Sequence, residues 1–121
     1  MARTVLIVDD SGAFRATARA VLEARGYEVV GTAQDGAGAE AAVAELRPDA
    51  VLLDVNLPDV DGVTVARRLA ARNGHAPAVV LVSTFDAAAI GEGIAVSGAR
   101  GFLPKAELAS PRLVELLGPP T

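Results

Sequence analysis

The chain has 121 residues, which is the usual size of one domain, so we expect a single core. Hydrophobic residues make up 51% of it and aromatic residues only 3%, which favours regular layers packed through aliphatic side chains. The net charge of −4 and the lack of a Lys/Arg cluster argue against direct binding of nucleic acid. Without cysteine, a secretory-type leader or an apolar stretch of membrane-spanning length, the sequence predicts a cytoplasmic protein that does not engage a membrane.

The first half of the chain alternates apolar runs with helical patterns. Strands are predicted for Val5 to Val8, Tyr27 to Ala33 and Ala50 to Leu53, the last of which ends at Asp54. Ser11 is a candidate N-cap for the first helix, which carries Phe14, Ala18, Val21 and Leu22 at helical spacing and ends at Gly26. A second helix follows Asp35-Gly36, with Ala39, Ala42, Val43 and Leu46 on one face, and Pro48 closes it.

The second half continues the alternation after a loop rich in turn-forming residues, 56–62. It contains predicted helices at Val63 to Ala71 and Ala87 to Ser97 and predicted strands at Ala78 to Val82 and Gly101 to Leu103. Ser110 and Pro111 look like the N-cap and first position of a last helix that extends to Leu117. We therefore expect one domain over residues 1–118, with 119–121 as a tail or the start of a linker.

Strict alternation of strands and helices predicts parallel strands joined by right-handed crossovers. The expected fold is α/β: a doubly wound five-stranded parallel sheet in the order 2-1-3-4-5, with helices on both faces in a flavodoxin-like three-layer sandwich. In such a sheet ligands bind beyond the carboxyl ends of the strands, at the point where the strand order reverses.

Polar residues follow four of the five predicted strands at that edge. They are Asp9 and Asp10, Asp54, Ser83 and Thr84, and Lys105. Three carboxylates in one place repel one another unless a cation lies between them. Oxygen ligands without His or Cys select Mg²⁺, Ca²⁺ or Mn²⁺. Mg²⁺ is favoured because one or two carboxylates, waters and phosphate oxygens commonly hold it, and Mn²⁺ is a second candidate. An acid nucleophile, a metal site, a hydroxyl and a lysine together suit phosphoryl transfer.

In this combination the chain resembles the receiver domain of two-component response regulators, from about Thr4 to Leu117. The resemblance implies that Asp54 is the phosphoacceptor and also a metal ligand. It further implies that Asp10 binds the metal directly, that Asp9 binds it through water, and that the backbone carbonyl of Asn56 is another ligand.

The same resemblance assigns roles to residues on the later strands. Ser83, the backbone of Thr84, and Lys105 would hold phosphoryl oxygens, and Ser83 and Phe102 would form the switch. The surface made by the fourth predicted helix, the fifth strand and the last helix would be the output face, and a homodimer could form through it. Because Gly91 and Gly93 each disfavour that fourth helix by about 0.8–1 kcal/mol relative to alanine, we expect it to be mobile.

The resemblance implies a phosphorylation-controlled binding module and not a turnover enzyme, although the domain would assist its own phosphorylation and dephosphorylation. The donor would be a sensor histidine kinase or a phosphotransfer protein. The modified domain would regulate a downstream protein or an attached effector domain.

Three other functions fit the sequence less well. An aspartate-nucleophile phosphohydrolase normally carries a second acid two residues after the nucleophile, and Asn56 in that place cannot shuttle a proton. A receiver-like docking domain that does not use phosphorylation would not need the complete set of reactive residues. Dinucleotide binding is disfavoured because the turn Asp9-Asp10-Ser11-Gly12 lacks spaced glycines and is negatively charged.

Overall fold

The computed structural model describes residues 2–84 and 97–121, and in that part of the chain strands and helices alternate as expected. In chain order the elements are β1 Thr4–Val8, α1 Gly12–Ala24, β2 Glu28–Ala33, α2 Gly36–Leu46, β3 Ala50–Asp54, α3 Gly62–Ala70, β4 Ala78–Ser83, β5 Gly101–Pro104 and α4 Arg112–Leu117. A short 3₁₀ turn, Lys105–Glu107, follows β5. The fourth predicted helix, with Gly91 and Gly93, lies outside the described residues except for Ser97.

The five strands form one parallel sheet in the order β2-β1-β3-β4-β5, which confirms the predicted α/β doubly wound fold. The register pairs Val8 with Leu53, Asp54 with Val82, and Ser83 with Pro104. The carboxyl ends of β1, β3, β4 and β5 therefore come together at one edge, and the residues that follow them become neighbours.

Alternate residues of each strand point to opposite faces of the sheet, so two apolar layers form. The layer beneath α1 and α4 contains the buried side chains of Val5, Ile7, Ala18, Leu22, Leu52, Val80, Val82, Leu103, Leu113, Leu116 and Leu117. The layer beneath α2 and α3 contains those of Leu6, Val8, Ala39, Val43, Val51, Leu53, Val65, Leu69, Leu81 and Phe102. Within the described residues no helix has both the length and the apolar character to cross a bilayer, and α1, the longest, has 13 residues.

Two of the predicted helix ends are present in the structure. The hydroxyl of Ser11 accepts a hydrogen bond from Phe14 N at 3.3 Å and caps α1. Gly26 follows the end of α1 with φ +95°, a left-handed conformation that glycine adopts without the steric cost of a Cβ.

The predicted N-cap of the last helix is wrong. The hydroxyl of Ser110 makes no hydrogen bond to any described residue, and α4 begins at Arg112 without a side-chain cap. The chain reaches Ser110 through a turn, in which Ser110 N donates to Glu107 O at 2.9 Å, and Pro111 is already helical. Instead of capping with its side chain, Ser110 uses its carbonyl oxygen, which accepts from Leu113 N and from the guanidinium of Arg25.

Candidate functional site

Three carboxylates meet beyond the ends of β1 and β3. Asp9 and Asp10 follow β1, Asp54 ends β3, and one oxygen of each lies within 4.8 Å of the others. Asp9 is fully buried and Asp54 is only 4% exposed, whereas Asp10 is exposed to solvent. The predicted acidic residues come together because β1 and β3 are adjacent parallel strands that end at the same edge of the sheet.

The ammonium group of Lys105 lies between two of these acids. Its Nζ atom is 2.6 Å from Asp9 Oδ2 and 3.4 Å from Asp54 Oδ2. The side chain is 16% exposed, and Lys105 is the only lysine in the sequence. The contact with Asp9 is an ion pair outside hydrogen-bond geometry, so Asp9 Oδ2 is a buried oxygen that accepts no hydrogen bond from the described residues.

Backbone amides fix the orientation of the two buried carboxylates. Ser11 N donates to Asp9 Oδ1 at 2.8 Å, and Asn56 N donates to Asp54 Oδ1 at 3.0 Å. The guanidinium of Arg15 donates to the backbone carbonyl of Asp9 at 2.5 Å. Arg15 was not among the predicted site residues, and its position one helical turn beyond Ser11 is the one signal in the sequence that points to this contact.

Burial raises the pKa of Asp54 above its ordinary value, because a carboxylate removed from water loses solvation. The hydrogen bond from Asn56 N opposes this shift, the negative charge of Asp9 adds to it, and the charge of Lys105 opposes it. The ionised form of Asp54 is therefore disfavoured in this environment, and an additional positive charge nearby would stabilise the carboxylate.

The loop after β3 packs tightly against the backbone of Asp54. Gly62 N donates to Val55 O at 2.7 Å, and a Cβ atom on Gly62 would lie 2.1 Å from the carbonyl oxygen of Asp54. Only glycine fits at this close approach. The loop and Asp10 line an open cavity of about 340 Å³ beside the acids, formed by Asp10, Val55, Asn56, Leu57, Pro58, Asp59, Val60 and Asp61.

Two further acids of this loop act as helix caps. Asp61 accepts from Thr64 N at 2.9 Å and caps α3. Asp59 accepts from Gly36 N at 2.8 Å and from Ala37 N at 3.0 Å, at the first turn of α2. A hydrogen bond from the Thr64 hydroxyl, at 2.7 Å, is the main cause that lowers the pKa of Asp61, and the bond from Thr64 N adds to it. The bonds from Gly36 N and Ala37 N lower the pKa of Asp59. The Asp-Gly pair before a helical pattern could have indicated the cap at Asp61, but no local signal links residue 59 to residue 36.

The remaining predicted site residues lie on β4 and β5. Ser83 is buried at the end of β4, one position beyond Val82, the partner of Asp54, and Thr84 follows it in an exposed position. Phe102 is 7% exposed and belongs to the apolar layer beneath α2 and α3, so in this structure it is a core residue and lies outside the group of acids.

Phe14, which the sequence placed on the core face of α1, also touches the site. Lys105 Nζ lies over its ring, 4.3 Å from the centroid. This contact joins α1 to the turn after β5.

The composition of the site fits a hard divalent cation. Its candidate ligands are carboxylate and carbonyl oxygens, and its three acids face one ammonium group. Asp9 Oδ2 accepts no hydrogen bond from the part of the chain that the structure describes. Together the described residues form an acidic cluster that could bind a metal.

Comparison with known proteins gives a consistent result. The family model for the response regulator receiver domain matches residues 5–117. The chain is also similar to the chemotaxis response regulator CheY4 of Vibrio cholerae, with a TM-score of 0.85 and 27% identity, over 97% of this chain and 100% of that one.

Two curated relatives are longer proteins. The chain is 40% identical over 101 residues to the response regulator MprA of Mycobacterium sp. (strain KMS), covering 84% of this chain and 43% of the relative. It is 51% identical over 81 residues to a protein-glutamate methylesterase/protein-glutamine glutaminase of Myxococcus xanthus, covering 66% of this chain and 23% of the relative. The chain therefore spans less than half the length of both.

Proposed function

This chain belongs to the response regulator receiver domain family, and on that premise we propose that Asp54 accepts a phosphoryl group from a histidine kinase or a phosphotransfer protein. The observation that carries the proposal is the buried Asp54 carboxylate, which lies among two other acids and the ammonium of Lys105. A carboxylate oxygen of Asp54 forms a bond to phosphorus as the bond from phosphorus to the donor breaks. The leaving group keeps that electron pair, and an acyl phosphate remains on Asp54.

Asp9, Asp10, Asp54 and the carbonyl of Asn56 are the proposed ligands of Mg²⁺, or of Mn²⁺ as a second candidate. When bound, the cation supplies positive charge beside the phosphoryl oxygens. Asp10 and Asn56 line the open cavity, which supports a direct role for these two. Asp9 is buried and already held by Ser11 N and Lys105, which suits a ligand that acts through water.

Lys105 is proposed to bind an oxygen of the transferred group, because its Nζ is 3.4 Å from Asp54 Oδ2. The hydroxyl of Ser83 and the backbone N–H of Thr84 are proposed as the other donors. Ser83 ends β4 and Thr84 follows it. Because β4 is hydrogen-bonded to β3, both residues belong to the same edge of the sheet as Asp54. Donors fixed before the reaction stabilise the charge that develops on the phosphoryl oxygens.

The proposed switch is a coupled movement of Ser83 toward the phosphoryl group and of Phe102 within its apolar layer. Phe102 lies on β5, which pairs with β4 and forms part of the predicted output face. A movement of Ser83 at the end of β4 would therefore occur beside β5. We propose that this face regulates a partner protein or an attached effector domain, a role consistent with the relatives named response regulators.

The test is incubation with acetyl phosphate, with Mg²⁺ or with a chelator, followed by intact-mass measurement. Wild type gains one phosphoryl group only with Mg²⁺, and Asp54→Asn gains none. The matched control is Asp49→Asn, which removes an acid at the opposite end of the sheet and keeps the adduct.

Each other result has a clear meaning. An adduct that survives in Asp54→Asn overturns the assignment of the phosphoacceptor. Absence of an adduct in wild type supports a phosphorylation-independent docking domain. Continuous release of phosphate at many turnovers per chain supports a phosphohydrolase.

A further inference from the structure

Three contacts define the position of the Lys105 ammonium group. Two are the carboxylates of Asp9 and Asp54, at 2.6 and 3.4 Å, and the third is the face of the Phe14 ring, whose centroid is 4.3 Å away. The carboxylates attract the charge, and the ring covers it on another side. The two acids belong to the proposed phosphorylation site, whereas Phe14 is connected to it only through Lys105.

Lysine has a long side chain with many rotamers, and ordering it costs conformational entropy. Lys105 begins a short 3₁₀ turn after β5, so its backbone alone does not direct the side chain. Phe14 is half-buried on α1 and packs against the apolar layer beneath α1 and α4, which holds the ring in place. The ring is thus a fixed surface against which a mobile cation can rest.

An aromatic ring suits this role better than another polar group would. The ring face attracts a cation through its quadrupole but accepts no proton and occupies none of the three N–H donors. Those donors stay available for carboxylate and phosphoryl oxygens. The attraction persists while the ammonium stays over the face within about 6 Å of the ring centroid, so a small shift from Asp9 toward Asp54 keeps the contact.

We propose that Phe14 is a positioning residue for the phosphoryl-binding lysine: its ring holds the Lys105 ammonium beside Asp54 through a cation–π contact. The inference rests on the proposed phosphoacceptor function. It adds to that function a residue that contacts neither the phosphoryl group nor the metal and acts only through Lys105.

The contact can be observed directly because Lys105 is the only lysine. In protein labelled with ¹³C-lysine, one set of ε-methylene signals reports on this side chain. Ring current displaces these proton signals upfield in wild type and in Phe14→Tyr, which keeps the ring. In Phe14→Leu, which keeps apolar bulk without a π face, they return to the position of a solvated lysine.

The effect on the reaction is measured with acetyl phosphate and Mg²⁺. We expect Phe14→Leu to lower the maximal rate of phosphorylation by roughly three- to thirtyfold, the strength of one cation–π contact, with little change in the half-saturating donor concentration. Phe14→Tyr restores most of the rate. Val21→Ala, which loosens the same apolar layer two turns further along α1, keeps the wild-type rate and controls for a general loss of packing.

The results separate this inference from the function on which it rests. If wild type forms no adduct, the phosphoacceptor function is overturned, and with it the role of Phe14 in that reaction, whatever the lysine signals show. If wild type reacts but Phe14→Leu reacts equally fast, only the positioning role is overturned. Unshifted lysine signals in wild type also overturn it, because they exclude the contact.

Discussion

Polar groups at the amino end of the sheet satisfy one another, whereas those at the carboxyl end keep an excess of negative charge. At the amino end, Asp49 accepts from Thr4 N at 2.8 Å, and the Thr4 hydroxyl accepts from Asp49 N at 2.9 Å. The Tyr27 hydroxyl donates to Gly118 O at 2.5 Å. At the carboxyl end, two buried carboxylates share one ammonium.

This difference indicates what each end contributes. Complementary hydrogen bonds at the amino end stabilise the folded chain, because the donors and acceptors of Thr4 and Asp49 pair with one another. The carboxyl end retains like charges in close proximity, which destabilises the folded chain and favours a bound cation. Substitutions at the two ends should therefore differ in size, in sign and in their dependence on pH.

The largest expected effect is that of Lys105→Met, which leaves the buried Asp9 and Asp54 carboxylates without their counter-ion. We expect the free energy of unfolding to fall by about 3 kcal/mol at neutral pH, as when one partner of a buried ion pair is removed. Millimolar Mg²⁺ restores part of this loss, because a cation that binds only the folded chain stabilises it. Urea denaturation with a chelator and with Mg²⁺ measures both effects.

The control for that experiment is Arg19→Met on α1. Arg19 forms an exposed ion pair with Glu23 at 3.9 Å, and removing such a pair costs less than about 1 kcal/mol. If Lys105→Met is no more destabilising than Arg19→Met, the charge excess at the carboxyl end has little energetic weight.

Asp54→Asn is expected to act in the opposite direction. Burial and the charge of Asp9 raise the pKa of Asp54 in the folded chain. Ionising this group therefore destabilises the folded chain. The penalty is absent below the pKa of the unfolded chain and appears as the pH rises through the pKa of the folded chain. Without metal, the substitution stabilises the chain by on the order of 1 kcal/mol at neutral pH. Thermal unfolding across the acid range should show this gain shrinking as the pH falls.

The smallest effect belongs to Asp49→Asn. The hydrogen bond from Thr4 N is the main cause that lowers the pKa of Asp49. The ionised Asp49 carboxylate therefore stabilises the folded chain above the pKa of the unfolded chain, and this stabilisation is lost as the pH falls through the pKa of the folded chain. Because Asp49 is exposed, the loss at neutral pH is below about 1 kcal/mol, and it disappears in acid. Stability curves for Asp49→Asn and Asp54→Asn that move in the same direction with pH would contradict the contrast between the two ends.

The sequence predicts the fold well because local patterns determine the elements. Short apolar runs such as Val5 to Val8 are typical of a strand covered on both faces, and strict alternation leaves few topologies. The acids at the ends of β1 and β3 were predicted for the same reason, since parallel strands bring their carboxyl ends to one edge.

What the sequence did not reveal depends on distances between segments far apart in the chain. No local pattern shows that Lys105 lies closer to Asp9 than to Asp54, or that its ammonium rests on Phe14. The cap at Ser110 was predicted from a motif that the preceding turn overrides. Such contacts arise only after the layers have packed, so propensity and spacing do not contain them.

We expect the hydrogen bonds that Asp59 accepts to couple the folding of α2 to that of β3 and the loop after it. The amides of Gly36 and Ala37 in the first turn of α2 find their acceptor 23 and 22 residues further along the chain, beyond β3. Asp35 accepts from Gly38 N with its side chain and from Ala39 N with its carbonyl oxygen, but among the described residues it does not serve the amides of Gly36 and Ala37. The start of α2 is therefore incomplete until β3 has joined the sheet and the following loop has turned back. We therefore expect the second and third strand–helix units to become ordered together, along with the loop beside the acids.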